Sequence, residues 1–482
     1  MKHNSENYSP IFYWKINSVI SLGISGIYSL ILVMLRTPYF SSLFENKELF
    51  QSALVVHVNL STLIWLLSVT VTIWKYNSKN FYFEHIFAKS GLISTLLISI
   101  SPFISKGSVP IMNNYIPMLD NAVFIIGLVL FIVILLCIAL VTLYESVNAL
   151  LFDPFDNSLI HTCIIVKITS AVIYIIVFIC FMMSLIELRK IIDNVVNIDI
   201  HFYYELLYWS GGHILQFLYT EILMFALFVY VNILLGNRSR FIVLYQLLFI
   251  LNVFLSLLGL YPHFALDITD SNFILYYTLH MKYCAGFTPT VFIFAVLYEI
   301  LIYIKNDDHL YVQKSVKLFL YIVIFMTSFM FLFGGAIALM ITDTNVTIPA
   351  HYHGSIVSVT IACMGLVYLY CYNPILYFKL FSKSCCLQQL KITSNPSQKF
   401  IKFYSTIVQI CLITFGQTLH ITGLALAGGY SVLRKTSGVV GFPTITKIYM
   451  AMFGIGGVIA IIAGLMFIYL CIKQIFRSSC SL

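Results

Sequence analysis

The sequence runs through block after block of apolar residues broken by short polar interruptions. Each block is about 20 residues long, which is the length of helix that crosses the hydrocarbon core of a bilayer. A backbone in lipid must satisfy its own hydrogen bonds, which leaves helices or a closed barrel. The blocks lack the period-two alternation of barrel strands, so they read as helices. They fall at roughly 16–36, 50–74, 88–105, 119–145, 160–187, 204–235, 240–262, 273–304, 316–342, 350–378, 401–428 and 443–474. The expected fold is an all-α, polytopic bundle of about twelve transmembrane helices, forming a single domain over 1–482. Composition agrees: 60% of the 482 residues are hydrophobic and 10% are charged, whereas a soluble domain keeps about 25% charged to face water.

Charge gives the expected orientation. Lysine and arginine concentrate in the connections on the side that holds both termini, among them Lys75, Lys79, Arg238, Arg240, Lys305, Lys379 and Lys383. By the positive-inside rule that side is cytoplasmic. The net charge of +8 therefore marks loops rather than a nucleic-acid surface. No small-residue cleavage site follows the first block, so no removable signal peptide is expected. The eleven cysteines form no C-x-x-C pair and read as small buried hydrophobes; Cys385 and Cys386 are adjacent, a poor metal geometry.

Histidine inside a span is expensive unless it has a partner. His57 lies one to two turns into the second span, entering from the outer side, and His213 lies in the outer half of the sixth. His263 closes the seventh at its outer end, and His351 and His353 open the tenth. Five histidines far apart in sequence thus converge on the outer third of the membrane. A lone intramembrane histidine is often a hydrogen-bonded core residue; five at one level argue for ligands. His280 and His420, inside the eighth and eleventh spans, are expected to be core or channel-lining.

Residues two apart on a helix are rotated by about 200°, so His351 and His353 point to opposite sides of the tenth span. They cannot share one metal, but each can hold a separate cofactor. His57 could then complete a bis-His iron suited to electron transfer. The other iron would keep an open position.

With those residues in place the chain resembles the catalytic subunit I of the haem-copper oxidase superfamily over nearly its whole length. The first span ends LVMLRTP, similar to the family's outer-end arginine, here Arg36. The second carries VVHVNLSTLIW, the sixth YWSGGHILQF, the seventh ends YPHFALD, and the tenth opens IPAHYHGS. Between the last two spans stands GLALAGGYSVLRKT. The resemblance implies a low-spin haem between His57 and His353 and a high-spin haem on His351. It makes His213 and His263 ligands of a non-haem metal, normally copper. Arg434 and Lys435 would hold haem propionates, as carboxylates need charge-assisted donors, and Arg36 would also be cofactor-binding.

The implied activity is that of a cytochrome c oxidase-like terminal oxidase in aerobic electron transport. O2 is reduced to water with electrons from a cytochrome c or quinol, coupled to proton pumping, in a complex with subunit II and other respiratory subunits. The implied location is a bacterial inner membrane. Polar residues within the spans offer proton routes: Gln216, Thr220, Glu221, Lys282, Thr288, Thr290, Thr406 and Gln417.

The chain departs from the family in two places. The adjacent histidines expected at the end of the seventh span are here Pro262-His263-Phe264, and the position four residues after His213 is Phe217 rather than a tyrosine. The haem ligands are complete and the copper ligands are not. A nitric oxide reductase-like enzyme with non-haem iron and a redox-impaired haem-binding paralogue therefore stay open. From another class, a twelve-span transporter fits the helix count, but it gives no reason for H-x-H at a helix start.

Overall fold

The computed structural model describes residues 9–37, 47–75, 83–104, 108–152, 158–193, 198–305, 314–372, 396–434 and 443–479. These contain twelve helices long and apolar enough to cross a membrane: α1 (Pro10–Arg36), α2 (Glu48–Trp74), α3 (Glu84–Ile104), α4 (Ala122–Phe152), α5 (Ser158–Ile192), α6 (Ile200–Leu235), α7 (Ile242–Ala265), α8 (Ser271–Ile304), α9 (Lys314–Ala338), α10 (Thr347–Cys371), α11 (Phe403–Gly428) and α12 (Thr444–Gln474). The protein is an integral membrane protein, as its hydropathy blocks indicate. Each block finds its helix, and several helices run past the apolar stretch that announced them, α5 by several residues at its C-terminal end.

The helices differ in what they bury. All of the apolar window of α6 is buried, as are 72% of that of α2 and 67% of that of α10, whereas no other helix exceeds 50%. The histidine-bearing helices α2, α6 and α10 thus form the centre of the bundle, and the rest shield them from lipid. Large side chains such as Ile27, Phe103 and Phe264 are exposed on the outside, the ordinary surface of a bilayer-facing bundle. Without a hydrophobic force between helices in lipid, close backbone approach at small residues does the packing. At the α9–α10 contact a Cβ on Gly354 would stand 2.3 Å from Gly334 Cα. On the α11–α12 seam, a Cβ on Gly416 or Gly423 would lie 2.7 or 2.6 Å from the backbone of Ala460 or Phe453.

Two departures from regular helix carry consequences. Asn59–Ile64 in α2 and Met281–Ala285 in α8 are π-helical, and such bulges recur at functional sites because they free backbone groups. In α2 the bulge starts two residues after His57. The His57 carbonyl takes the Ser61 hydroxyl at 2.7 Å and the Ser25 hydroxyl at 3.1 Å, and the Thr62 carbonyl takes Tyr219 Oη at 2.7 Å. The connection between α3 and α4 holds a small antiparallel hairpin, β1 (Pro110–Ile111) against β2 (Met118–Leu119), with Pro110 opposite Leu119. Its apolar residues Ile111, Ile116, Met118 and Leu119 are buried, so this loop folds into the bundle rather than lying over it.

Candidate functional site

A cavity of about 370 Å³ is lined by residues of α1, α2, α6, α10, α11 and α12 and by the α3–α4 loop. His57 and His353 both line it, as do Arg36, Gln216, Tyr219, Gln417 and His420, among mostly apolar side chains such as Leu32, Val33, Leu54, Ile356 and Phe453. A large, predominantly apolar cavity with a few convergent polar groups is the usual form of a cofactor site.

The His57 ring is held by Ser25. Its Nδ1 lies 3.1 Å from the Ser25 carbonyl oxygen and 2.9 Å from Ser25 Oγ. A carbonyl only accepts, so Nδ1 carries the proton and Nε2 keeps its lone pair. Ligating histidines are oriented in this way by a hydrogen bond on the other ring nitrogen. His353 stands on α10 with its ring 4.6 Å from that of His420. Nδ1 of His420 donates to the Phe453 carbonyl at 3.0 Å, while its buried Nε2 has no partner. His420 was expected only to line a core or channel; it stands beside His353 in this cavity. Nothing local in its span marks it out, because what brings it there is the glycine-lined approach of α11 to α12.

Arg36 is 9% exposed. It donates from Nη2 to the Leu433 carbonyl at 3.0 Å, and its Nε is buried without a partner. A buried guanidinium with a free donor beside an apolar cavity suits an anionic group. The residues present therefore fit a haem, which His57 and His353 would hold through ring nitrogens and to which Arg36 would offer a donor for a carboxylate. His351 does not line this cavity. Its Nδ1 donates to the Gly334 carbonyl at 2.9 Å, which leaves its Nε2 free on the other flank of α10, as the two-residue spacing predicts.

The expected metal centre is arranged differently. Nδ1 of His213 donates to the Trp209 carbonyl at 2.7 Å, and its Nε2 lies 2.8 Å from Tyr115 Oη. Burial holds the Tyr115 phenol well above its ordinary pKa, with Tyr352 and Glu205 adding to the effect and Arg434 opposing it; the phenol is a neutral donor. His263 pairs its Nδ1 with Glu187 Oε1 at 3.0 Å, and its Nε2 is buried without a partner. The Tyr277 ring stands against both histidines, with centroids at 5.5 Å from His213 and 6.5 Å from His263. Phe217, four residues beyond His213, stacks on His280 at 5.0 Å. Among the described residues no group of three or more His, Cys, Asp or Glu side chains comes together as a metal site. Of the two histidines expected to ligate copper, only His263 keeps a free ring nitrogen, so that pair does not by itself fit a copper ion. The other unpartnered imidazole nitrogen beside them is Nδ1 of His280, whose Nε2 donates to the Leu255 carbonyl at 2.8 Å.

Arg434, expected at a propionate, donates to Asn114 Oδ1 in the α3–α4 loop and hydrogen-bonds the Tyr352 side chain. Lys435, the other expected propionate partner, lies outside the described residues. Of the polar residues named as proton routes, Glu221 and Thr288 meet through Asn252, which donates to Glu221 Oε2 at 2.8 Å and accepts from Thr288 at 2.8 Å. Thr169 donates to Glu221 Oε1 at 2.5 Å. Gln216 and Gln417 line the cavity instead. Tyr115, Glu187 and Asn252 carried no signal in the sequence, since each acts on a histidine or carboxylate tens of residues away.

No family model matches the chain. It is 40% identical to "Uncharacterized protein RP382" of Rickettsia prowazekii (strain Madrid E), over 98% of this chain and 97% of that one. A second relative, an "Uncharacterized protein" of Aquifex aeolicus (strain VF5), is 22% identical over 73% of this chain and 82% of its own length. Among solved structures, a heme-copper terminal oxidase dimer determined by cryo-EM superposes with a TM-score of 0.71 at 14% identity. That match covers 96% of this chain and 83% of the oxidase chain. At that identity the likeness shows a shared fold.

Proposed function

The chain belongs to one family with the Rickettsia prowazekii protein RP382, and from that premise we propose that it is a haem-carrying redox subunit on the terminal-oxidase scaffold. In this reading a low-spin haem lies between His57 and His353. The observation that supports it is the shared cavity of His57, His353 and Arg36, with His57 Nδ1 tied to Ser25 so that Nε2 is left for iron. Haem held by two imidazoles supplies a one-electron couple. The protein's own residues supply the rest: Ser25 fixes the His57 ring, Arg36 offers a buried donor to a carboxylate, and the apolar wall keeps water out.

A second reading, supported by the shared fold and by the free Nε2 of His351, is the complete terminal oxidase. It adds a high-spin haem on His351 and a metal on His213 and His263, with O2 reduced to water and protons pumped. Both readings place the chain in a bacterial inner membrane with cytoplasmic termini. Both also give it a subunit II-like partner that takes electrons from a cytochrome c or a quinol.

The test is haem content. The full chain purified from haem-supplemented cells is expected to give a pyridine haemochrome, and His57→Ala and His353→Ala are each expected to lose the low-spin spectrum. A wild-type protein free of haem overturns the proposal.

A further inference from the structure

Tyr115 occupies the place that a metal on His213 would take. A neutral imidazole has one donor nitrogen and one acceptor nitrogen. In His213 the donor is Nδ1, committed to the Trp209 carbonyl, and the acceptor is Nε2, which receives the Tyr115 hydroxyl. The one lone pair that could ligate a metal is therefore in use. A hydrogen bond and a metal bond at that nitrogen exclude each other.

The loop that delivers Tyr115 is held at several points. Asn113 Oδ1 accepts from the backbone N–H groups of Tyr115 at 3.1 Å and Ile116 at 2.8 Å. The Asn114 N–H donates to Glu205 Oε2 on α6 at 3.0 Å, and Arg434 grips the Asn114 side chain. Asn59 Nδ2, in the α2 bulge, donates to the Pro117 carbonyl at 2.8 Å. The Tyr115 ring also needs the glycine before His213: a Cβ on Gly212 would stand 2.2 Å from Tyr115 Cγ. Trp209 then packs against the ring edge, with centroids 5.8 Å apart. Two membrane helices, α2 and α6, and the α11–α12 segment thus converge on one loop, and its tyrosine ends on Nε2.

We infer that the α3–α4 loop is a fixed plug whose Tyr115 hydroxyl replaces the non-haem metal at His213, so that copper is not part of this protein's site. The inference stands on His213 and its neighbours and is independent of haem binding at His57 and His353.

The test uses the purified full chain, with copper counted per chain by mass spectrometry and haem counted separately, so that loss of haem is not mistaken for loss of copper. Wild type is expected to carry no copper above the buffer trace, and His213→Ala is expected to leave that unchanged. In Tyr115→Ala the nitrogen is open. Cu(II) titration followed by EPR should then show binding about tenfold tighter than in wild type, the scale on which ligand-shell changes act. Adding His213→Ala to that variant should remove the gain. Stoichiometric copper in wild type that His213→Ala abolishes overturns the inference. So does a Cu(II) affinity that is the same with and without Tyr115.

Discussion

At the scale of single residues, the site is decided by which ring nitrogen carries the proton. His57, His351 and His213 all spend Nδ1 on a backbone carbonyl, so each presents Nε2; what differs is what meets it. Nε2 of His57 is left for the cavity, and that of His213 meets a phenol. Arg36 gives a prediction whose sign depends on the cofactor. A buried guanidinium with an unpartnered Nε costs stability that an apolar side chain of similar volume would recover, about 1 kcal/mol or more. Arg36→Met should therefore raise the thermal unfolding midpoint of the haem-free protein while weakening haem retention. Unfolding scans of both forms check this; a variant that retains haem as well as wild type removes Arg36 from the site. His57, His353 and Arg36 were legible in the sequence because their motifs are local. Tyr115 was not: it reaches His213 across 98 residues, and no spacing rule connects a loop tyrosine to a helix histidine.

At the scale of elements, the histidines are placed by how closely the helices approach. His351 and His353 flank Tyr352 on α10, and Gly354 follows directly, packed on Gly334 of α9. A side chain at Gly354 must part the two helices and take the H-x-H turn with it. Gly354→Val is expected to lower stability by about 1–3 kcal/mol, the usual effect of overpacking, and to lose the low-spin spectrum with it. The unfolding midpoint and the absorption spectrum report the two effects, and a variant that keeps both would detach α9 from the site. Hydropathy announced all twelve helices, because length and apolarity are what a bilayer demands. The π-helical stretches Asn59–Ile64 and Met281–Ala285 were invisible to it. A bulge depends on which hydroxyls arrive from neighbouring helices to satisfy the freed carbonyls, as Ser25 and Tyr219 do here.

At the scale of the whole molecule, the bundle is arranged around its histidine-bearing helices α2, α6 and α10. α6 is wholly buried and α2 and α10 follow, so the cavity lies behind a shield of lipid-facing helices. The likeness to a terminal oxidase extends over 96% of this chain. Within that shared frame the two halves of the expected centre have different outcomes: the cavity of His57 and His353 fits a haem, and the surroundings of His213 do not fit a metal. The sequence already carried this asymmetry in the lone His263 and in Phe217. Its physical form, a loop tyrosine on His213 Nε2, came from the tertiary structure. Haem binding by His57 and His353 together is tested most directly by EPR of the oxidised, purified full chain. A low-spin ferric signal that disappears in His353→Ala is expected; a haem signal that is high-spin only, or unchanged in His353→Ala, would contradict that binding.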